Sequence, residues 1–217
     1  MTTTGARTAF LACGALARET QQLIAINGWD ADVHGVSAVH HLMPPRIVED
    51  VDRKLGDLTQ RYDKVIVVYG DCGTGGRLDD VLAKYGSAVR PAGVHCYQWF
   101  AEDDFEEISE DIGVYFLTDW LVRAWESAVI RGLGLDRFPW LTDTYFEHLS
   151  RIIYFRQDPD EDRALENKAR EIAAFVGKPL EIRDTGLSPL QSLLAPLFDT
   201  QLDGGDDVEL EDADVRP

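Results

Sequence analysis

The sequence predicts an α/β fold: an open, mostly parallel sheet of about five to seven strands with helices on both faces, in a Rossmann-like arrangement. Three observations predict it. Short apolar runs alternate with longer segments of helical periodicity along the chain. The run Lys64-Val-Ile-Val-Val-Tyr69 is apolar and β-branched throughout, as a strand covered on both faces must be. Helix punctuation falls between the runs: Asn27-Gly28 reads as a helix stop, and Pro44-Pro45 as a start, where the missing N–H has no partner to lose.

In order, the first strand spans 8–13, and a helix follows with Leu16, Leu23, Ile24 and Ile26 as its apolar positions. A second strand covers 33–39. The Pro44-Pro45 helix carries Ile47, Val48, Val51, Leu55 and Leu58 on one face. After the third strand, 64–69, Gly70-Asp-Cys-Gly-Thr-Gly-Gly76 forms a turn and 78–85 a short helix. A fourth strand is expected over 92–96. An acidic helix follows around 102–112, with seven acids in residues 102–111. The apolar run 112–117 leads to Thr118-Asp119. Helices are expected at 119–132, 143–151 and 160–176, strands at 152–156 and 179–183, and a last helix at 188–198.

The 217 residues are 45% hydrophobic and 28% charged, enough apolar material for a packed core. A single domain over 1–198 is expected, followed by an acidic, disordered tail over 199–217, where eight acids face one Arg. The net charge of −18 argues against a nucleic-acid partner held through phosphates. No apolar run approaches the ~20 residues of a membrane span, and the N-terminal residues lack a basic stretch followed by an apolar core. Three cysteines, an odd number, do not make a disulfide framework. The expected location is the cytoplasm, with reduced thiols and no membrane partner.

Those cysteines fall where an open parallel sheet binds ligands, beyond the carboxyl ends of its strands. Cys13 ends the first strand, Cys72 lies in the turn after the third, and Cys96 ends the fourth. His40 and His41 follow the second. Thiolate and imidazole are soft ligands, so Cys13, Cys72, Cys96 and His41 are the candidate metal ligands, for an iron–sulfur cluster ahead of zinc. Three neighbouring strands spaced ~4.8 Å span a width that a cluster fills with less distortion than one tetrahedral ion. His41, Asp71 and Asp119 are the candidate acid/base groups. Gly70, Gly73 and Gly75 are the candidate cofactor-binding positions, letting the backbone turn sharply and present Cys72 to a small molecule. A phosphate cradle is the weaker use of this turn, because Asp71, Asp79 and Asp80 repel an anion. His95, inside the fourth strand run, is expected to point away from Cys96.

At the same residues the chain resembles the domain-of-unknown-function family 1638. The likeness rests on Ala12-Cys-Gly-Ala-Leu16, His41 followed by Pro44, the block from Tyr69 to Gly76 with Leu78-Asp79, and His95-Cys-Tyr97. Leu117-Thr-Asp119, Gly132-Leu-Gly-Leu-Asp136 and Tyr145-Phe146 extend it over roughly 8–198. Where the family pattern has one histidine, this chain has His40-His41, so either imidazole is open as the ligand. The resemblance implies an intracellular microbial protein encoded near corrinoid-dependent methyltransferases of methylated-amine metabolism. A small-molecule substrate and a corrinoid protein or methyltransferase are the partners it implies. A metal-dependent lyase or transferase is one expectation; a non-catalytic metal-handling module and a metal-free Cys/His nucleophilic enzyme are the alternatives. The aromatic content is compatible with a homo-oligomer.

Overall fold

The computed structural model describes residues 7–158 and 163–200, and it is an α/β protein with parallel strands throughout the described residues. Strands β1 (Thr8–Cys13), β2 (Ala31–Val36), β3 (Lys64–Val68) and β4 (Ala88–Val89) form one sheet in the order β2-β1-β3-β4. Strands β5 (Val114–Thr118), β6 (Arg151–Arg156) and β7 (Leu180–Asp184) form a second, in sequence order. The strand number is as expected; its division over two sheets was not visible from periodicity.

Helix α1 (Ala17–Asn27) connects β1 to β2 and ends on Gly28, whose φ of 64° is the left-handed C-cap that the Asn-Gly pair announces. Helix α2 (Pro44–Leu58) connects β2 to β3 and buries Ile47, Val51, Leu55 and Leu58, the spacing of one helical face. The crossover from β2 to β3 passes to the far side of β1. Strands are therefore added on opposite sides of β1, so the winding order reverses between β1 and β3, which opens a crevice beyond their carboxyl ends.

The second sheet packs one face on the first core. Ile153 and Phe155 of β6 belong to that core, while Ile152 and Tyr154 belong to a second one with Leu117, Val122 and Ile172. This is the period-two alternation of a strand used to join two layers. Helices α6 (Asp119–Trp125) and α8 (Arg163–Val176) cover the outer face through Val122, Trp125, Ala169 and Ile172.

Several boundaries differ from expectation. β4 is only Ala88–Val89, and the expected strand at 92–96 is instead an irregular segment followed by helix α4 (Cys96–Ala101). Pro91 has no N–H to give a ladder, and Gly93 takes φ 143°. The carbonyls of Gly93 and Val94 accept the N–H groups of Asp71 and Cys72 instead. The acidic helix is broken by Glu102 at φ 50° into α4, a short 3-10 turn and α5 (Phe105–Glu110). A 3-10 turn, Ala38–Leu42, replaces the end of the second strand. After Trp125 the helix widens into a π segment, Glu126–Ile130. Helix α7 spans Leu141–Phe146, and β6 begins at Arg151. Helix α9 (Ser188–Asp199) runs one residue past the expected domain end. Beyond Thr200 the acidic tail lies outside the described residues, as does the expected start of α8 at 160–162.

Candidate functional site: a thiol cluster beside an apolar cavity

The site is built at the β1/β3 reversal. Cys13 closes β1, buried at 3% exposure, and its sulfur accepts the Ala15 N–H at 3.4 Å. Tyr69, directly after β3, is fully buried. Its hydroxyl lacks a hydrogen-bond partner of ordinary geometry and lies beside the Cys13 sulfur.

The turn after Tyr69 is organised by Asp71. Its carboxylate accepts from Thr74 Oγ1 at 2.5 Å, the Gly76 N–H at 2.8 Å and the Gly75 N–H at 3.0 Å. Burial alone would raise its pKa, but these bonds outweigh that and hold the carboxyl below the ordinary range. The amides that might have cradled a phosphate are thus filled from within, so Asp71 acts as the brace of the turn. Gly70 is needed because a Cβ there would stand 2.5 Å from His95 Cα. Gly73 and Gly75 take φ of 81° and 65°, so all three glycines serve the shape of the turn.

Cys72 itself holds φ 49°, a left-handed conformation uncommon for a side-chain-bearing residue. The Cys72 N–H donates to Val94 O at 2.7 Å, and this backbone pairing draws the segment bearing Cys96 alongside the turn. The Cys96 backbone N–H lies close enough to the Cys72 thiol to lower its pKa slightly against the larger rise from burial. Cys96 opens α4, so it and His95 both line the cavity described below, contrary to the opposed directions a strand would impose.

The three thiols are electrostatic neighbours, and none is in a disulfide. Burial is the main cause that pushes Cys13 up to about 11 and Cys72 up to about 12; the Cys13 charge adds to the rise at Cys72. Cys96 is raised in the same way by burial and then by Cys72 and Cys13. The Tyr69 phenol is raised by burial and by all three sulfurs. Of the cysteines expected to converge from their strand ends, Cys72 and Cys96 share one cavity wall, and Cys13 is near enough to raise both. Among the described residues, no group of three or more His, Cys, Asp or Glu side chains already stands in a metal-holding arrangement.

His41 stacks on Tyr69 with ring centroids 5.5 Å apart. Its Nδ1 lies 2.8 Å from Ala38 O, an oxygen that can only accept, so Nδ1 carries the proton and Nε2 keeps its lone pair. Desolvation lowers its pKa, which keeps the ring neutral at pH 7. His40 instead turns towards Asp50, 3.9 Å away. Of the two adjacent histidines, His41 is the one that lines the cavity.

Asp119 is placed elsewhere. It is fully buried, and its carboxylate accepts from Tyr154 Oη at 2.6 Å, the Gln157 N–H at 3.2 Å and the Asp158 N–H at 3.0 Å. Arg123 lies 3.7 Å away. These bonds tie the ends of β5 and β6 together and leave the carboxylate structural in geometry.

The thiols Cys72 and Cys96 open onto a cavity of about 570 Å³ between the two sheets. One wall comes from the exits of the first sheet, with His41, Cys72, His95 and Cys96. The other comes from β5, α6 and the π segment, with Phe116, Trp120, Leu121, Val129 and Leu133. Sequence reading missed Tyr69, Tyr97 and this second wall. Tyr69 carried a readable signal, a hydroxyl at the end of a run otherwise buried on both faces; the π segment left none.

No curated protein and no solved structure matches the chain. Among the described residues, no helix is long and apolar enough to cross a membrane. The model of the family described as protein of unknown function, DUF1638, matches residues 36–194, a span that holds Cys72, Cys96 and His41, and the chain belongs to that family.

Proposed function

We propose that the protein carries a soft metal centre, an iron–sulfur cluster ahead of zinc, on Cys13, Cys72 and Cys96, and acts through it on a small molecule in the adjoining cavity. The observation that carries this is that the Cys72–Val94 backbone pairing sets Cys72 and Cys96 on one cavity wall beyond β3, with Cys13, from the end of the neighbouring β1, near enough to raise both. Ionised together without a counter-charge, such thiols repel each other in a desolvated pocket. A soft cation removes that cost, because a coordinated thiol gives up its proton. A metal-free nucleophile needs a depressed thiol pKa, and the rise at Cys13 and Cys72 runs the other way. His41, neutral with Nε2 unprotonated, suits a fourth ligand or a proton acceptor beside the centre. To close on a metal the thiols would reorient, since among the described residues they do not already stand in a metal-holding arrangement. When bound, such a centre supplies Lewis acidity to a substrate. The structural use of Asp71 and Asp119 favours a second reading, a metal-handling module that serves a corrinoid protein or methyltransferase without catalysis.

Metal analysis of protein purified with and without oxygen tests the proposal. Iron with a visible charge-transfer band is expected, or zinc in colourless protein, and each of Cys13→Ser, Cys72→Ser and Cys96→Ser should lower the content. Unchanged loading in all three folded variants would overturn it.

A further inference from the structure

We infer that the cavity between the two sheets takes an uncharged, largely apolar small molecule, with its soft or reactive end towards Cys72 and Cys96. This deepens the reading above and depends on it only for the orientation of the ligand. The first observation is the absence of charge. In a chain that is 28% charged, no Asp, Glu, Lys or Arg among the described residues lines this cavity. Acids close to this region do not line the cavity: Asp71 is held within its turn, Asp119 at the β5 and β6 ends, and the buried Glu19 lies 3.9 Å from Arg123.

The second observation is the make-up of the walls. The far wall offers Phe116, Trp120, Leu121, Val129 and Leu133, broad apolar surfaces for an aromatic or aliphatic body. The near wall offers sulfur and imidazole. A volume of about 570 Å³ lies within the range of pockets that enclose a small ligand, roughly 300–1,000 Å³. A carboxylate, phosphate or ammonium group entering here would give up its hydration with no opposite charge to receive it. A neutral ligand avoids that penalty.

The third is the backbone of the far wall. The π segment Glu126–Ile130 places Ser127, Ala128 and Val129 on the cavity surface, and such widened turns occur preferentially at functional sites. Gly132 permits it: a Cβ there would stand 2.1 Å from Ala128 O.

Fluorescence titration with the neutral dye N-phenylnaphthylamine tests the assignment on the full chain. Saturable binding is expected, with displacement by benzyl alcohol or toluene at least about a hundredfold more effective than by benzoate, phenyl phosphate or benzylammonium. Ala128→Trp, which fills the cavity, should abolish binding with the circular dichroism spectrum unchanged; Leu133→Trp fills it from a second position should the first fail to fold. Protein stripped with a chelator should bind the dye as untreated protein does, so a failure of the metal reading leaves this result standing. Equal displacement by charged and neutral competitors, no dye binding by folded protein, or undiminished binding in a folded filled variant would each overturn it.

Discussion

At Cys72 the backbone takes a conformation that ordinarily costs a side-chain-bearing residue ~1–2 kcal/mol. The turn sustains it through the Asp71 carboxylate on one side and the Cys72 N–H to Val94 O on the other. Strain held at one thiol, in contact with a cavity, is what the proposed site would require of Cys72. Gly70 guards the same arrangement from below. Gly70→Ala would put a Cβ against the His95 backbone, which has no flexible end to yield, and should destabilise the fold by ~1–3 kcal/mol. The urea midpoint reads that loss, and the metal content of the variant should fall with it because Cys96 follows His95. A variant with wild-type midpoint and loading would show that the 70–95 crossing is not what sets the thiols.

The joint between β5 and β6 belongs to the scale of the element. Asp119 opens α6, and the Thr118 hydroxyl caps the same helix by accepting the Leu121 N–H at 3.5 Å. Arg123, one turn along α6, stands 3.7 Å from Asp119 and 3.9 Å from Glu19 of α1, so the network links a helix of each sheet. Removing the buried carboxylate leaves Tyr154 and two backbone amides without their acceptor and takes one anion from beside the Arg123 guanidinium. Asp119→Ala should therefore cost ~3–5 kcal/mol of stability. Asp119→Asn, which keeps one acceptor oxygen, should recover part of it. Thermal melts of the two variants check the order, and metal content per folded molecule should stay at the wild-type level in both. Loss of metal from folded Asp119→Asn would return Asp119 to the functional site.

Across the molecule, the buried thiols and phenols make stability depend on pH at the alkaline end. Cys13 rises from the ordinary 9.0 to about 11, and Cys72 to about 12, chiefly through burial. In the metal-free, reduced protein the folded state thus keeps protons that the unfolded chain releases above pH 9. The stabilisation is full below that value and is lost as pH rises towards the folded values. Each such thiol contributes ~1.4 kcal/mol per pH unit within that window. Urea midpoints of metal-free protein should fall steeply through it, and more gently for Cys13→Ala. A bound metal should flatten the curve further, because the thiols are then already deprotonated. Identical slopes with and without metal would count against coordination by these sulfurs.

Local chemistry determined much of this protein within the sequence. The β-branched run at 64–68 forms β3 and is buried throughout, and the Asn27-Gly28 and Pro44-Pro45 signals end α1 and begin α2, because caps and apolar periodicity act over a few residues. Strand-end placement brought Cys13, Cys72 and His41 to one edge for the same reason. The run 92–96 misled: it is apolar enough for a strand, yet it is held by the amides of Asp71 and Cys72, more than twenty positions earlier in the chain. Asp119, chosen for lying just beyond a strand, turned inward because Tyr154, Gln157 and Asp158 meet it there. The split into two sheets, the uncharged cavity between them and the burial of the Tyr69 hydroxyl were likewise decided only by the tertiary structure. Each depends on which surfaces meet across long separations, and the energy of such a meeting is not encoded in any short stretch of the chain.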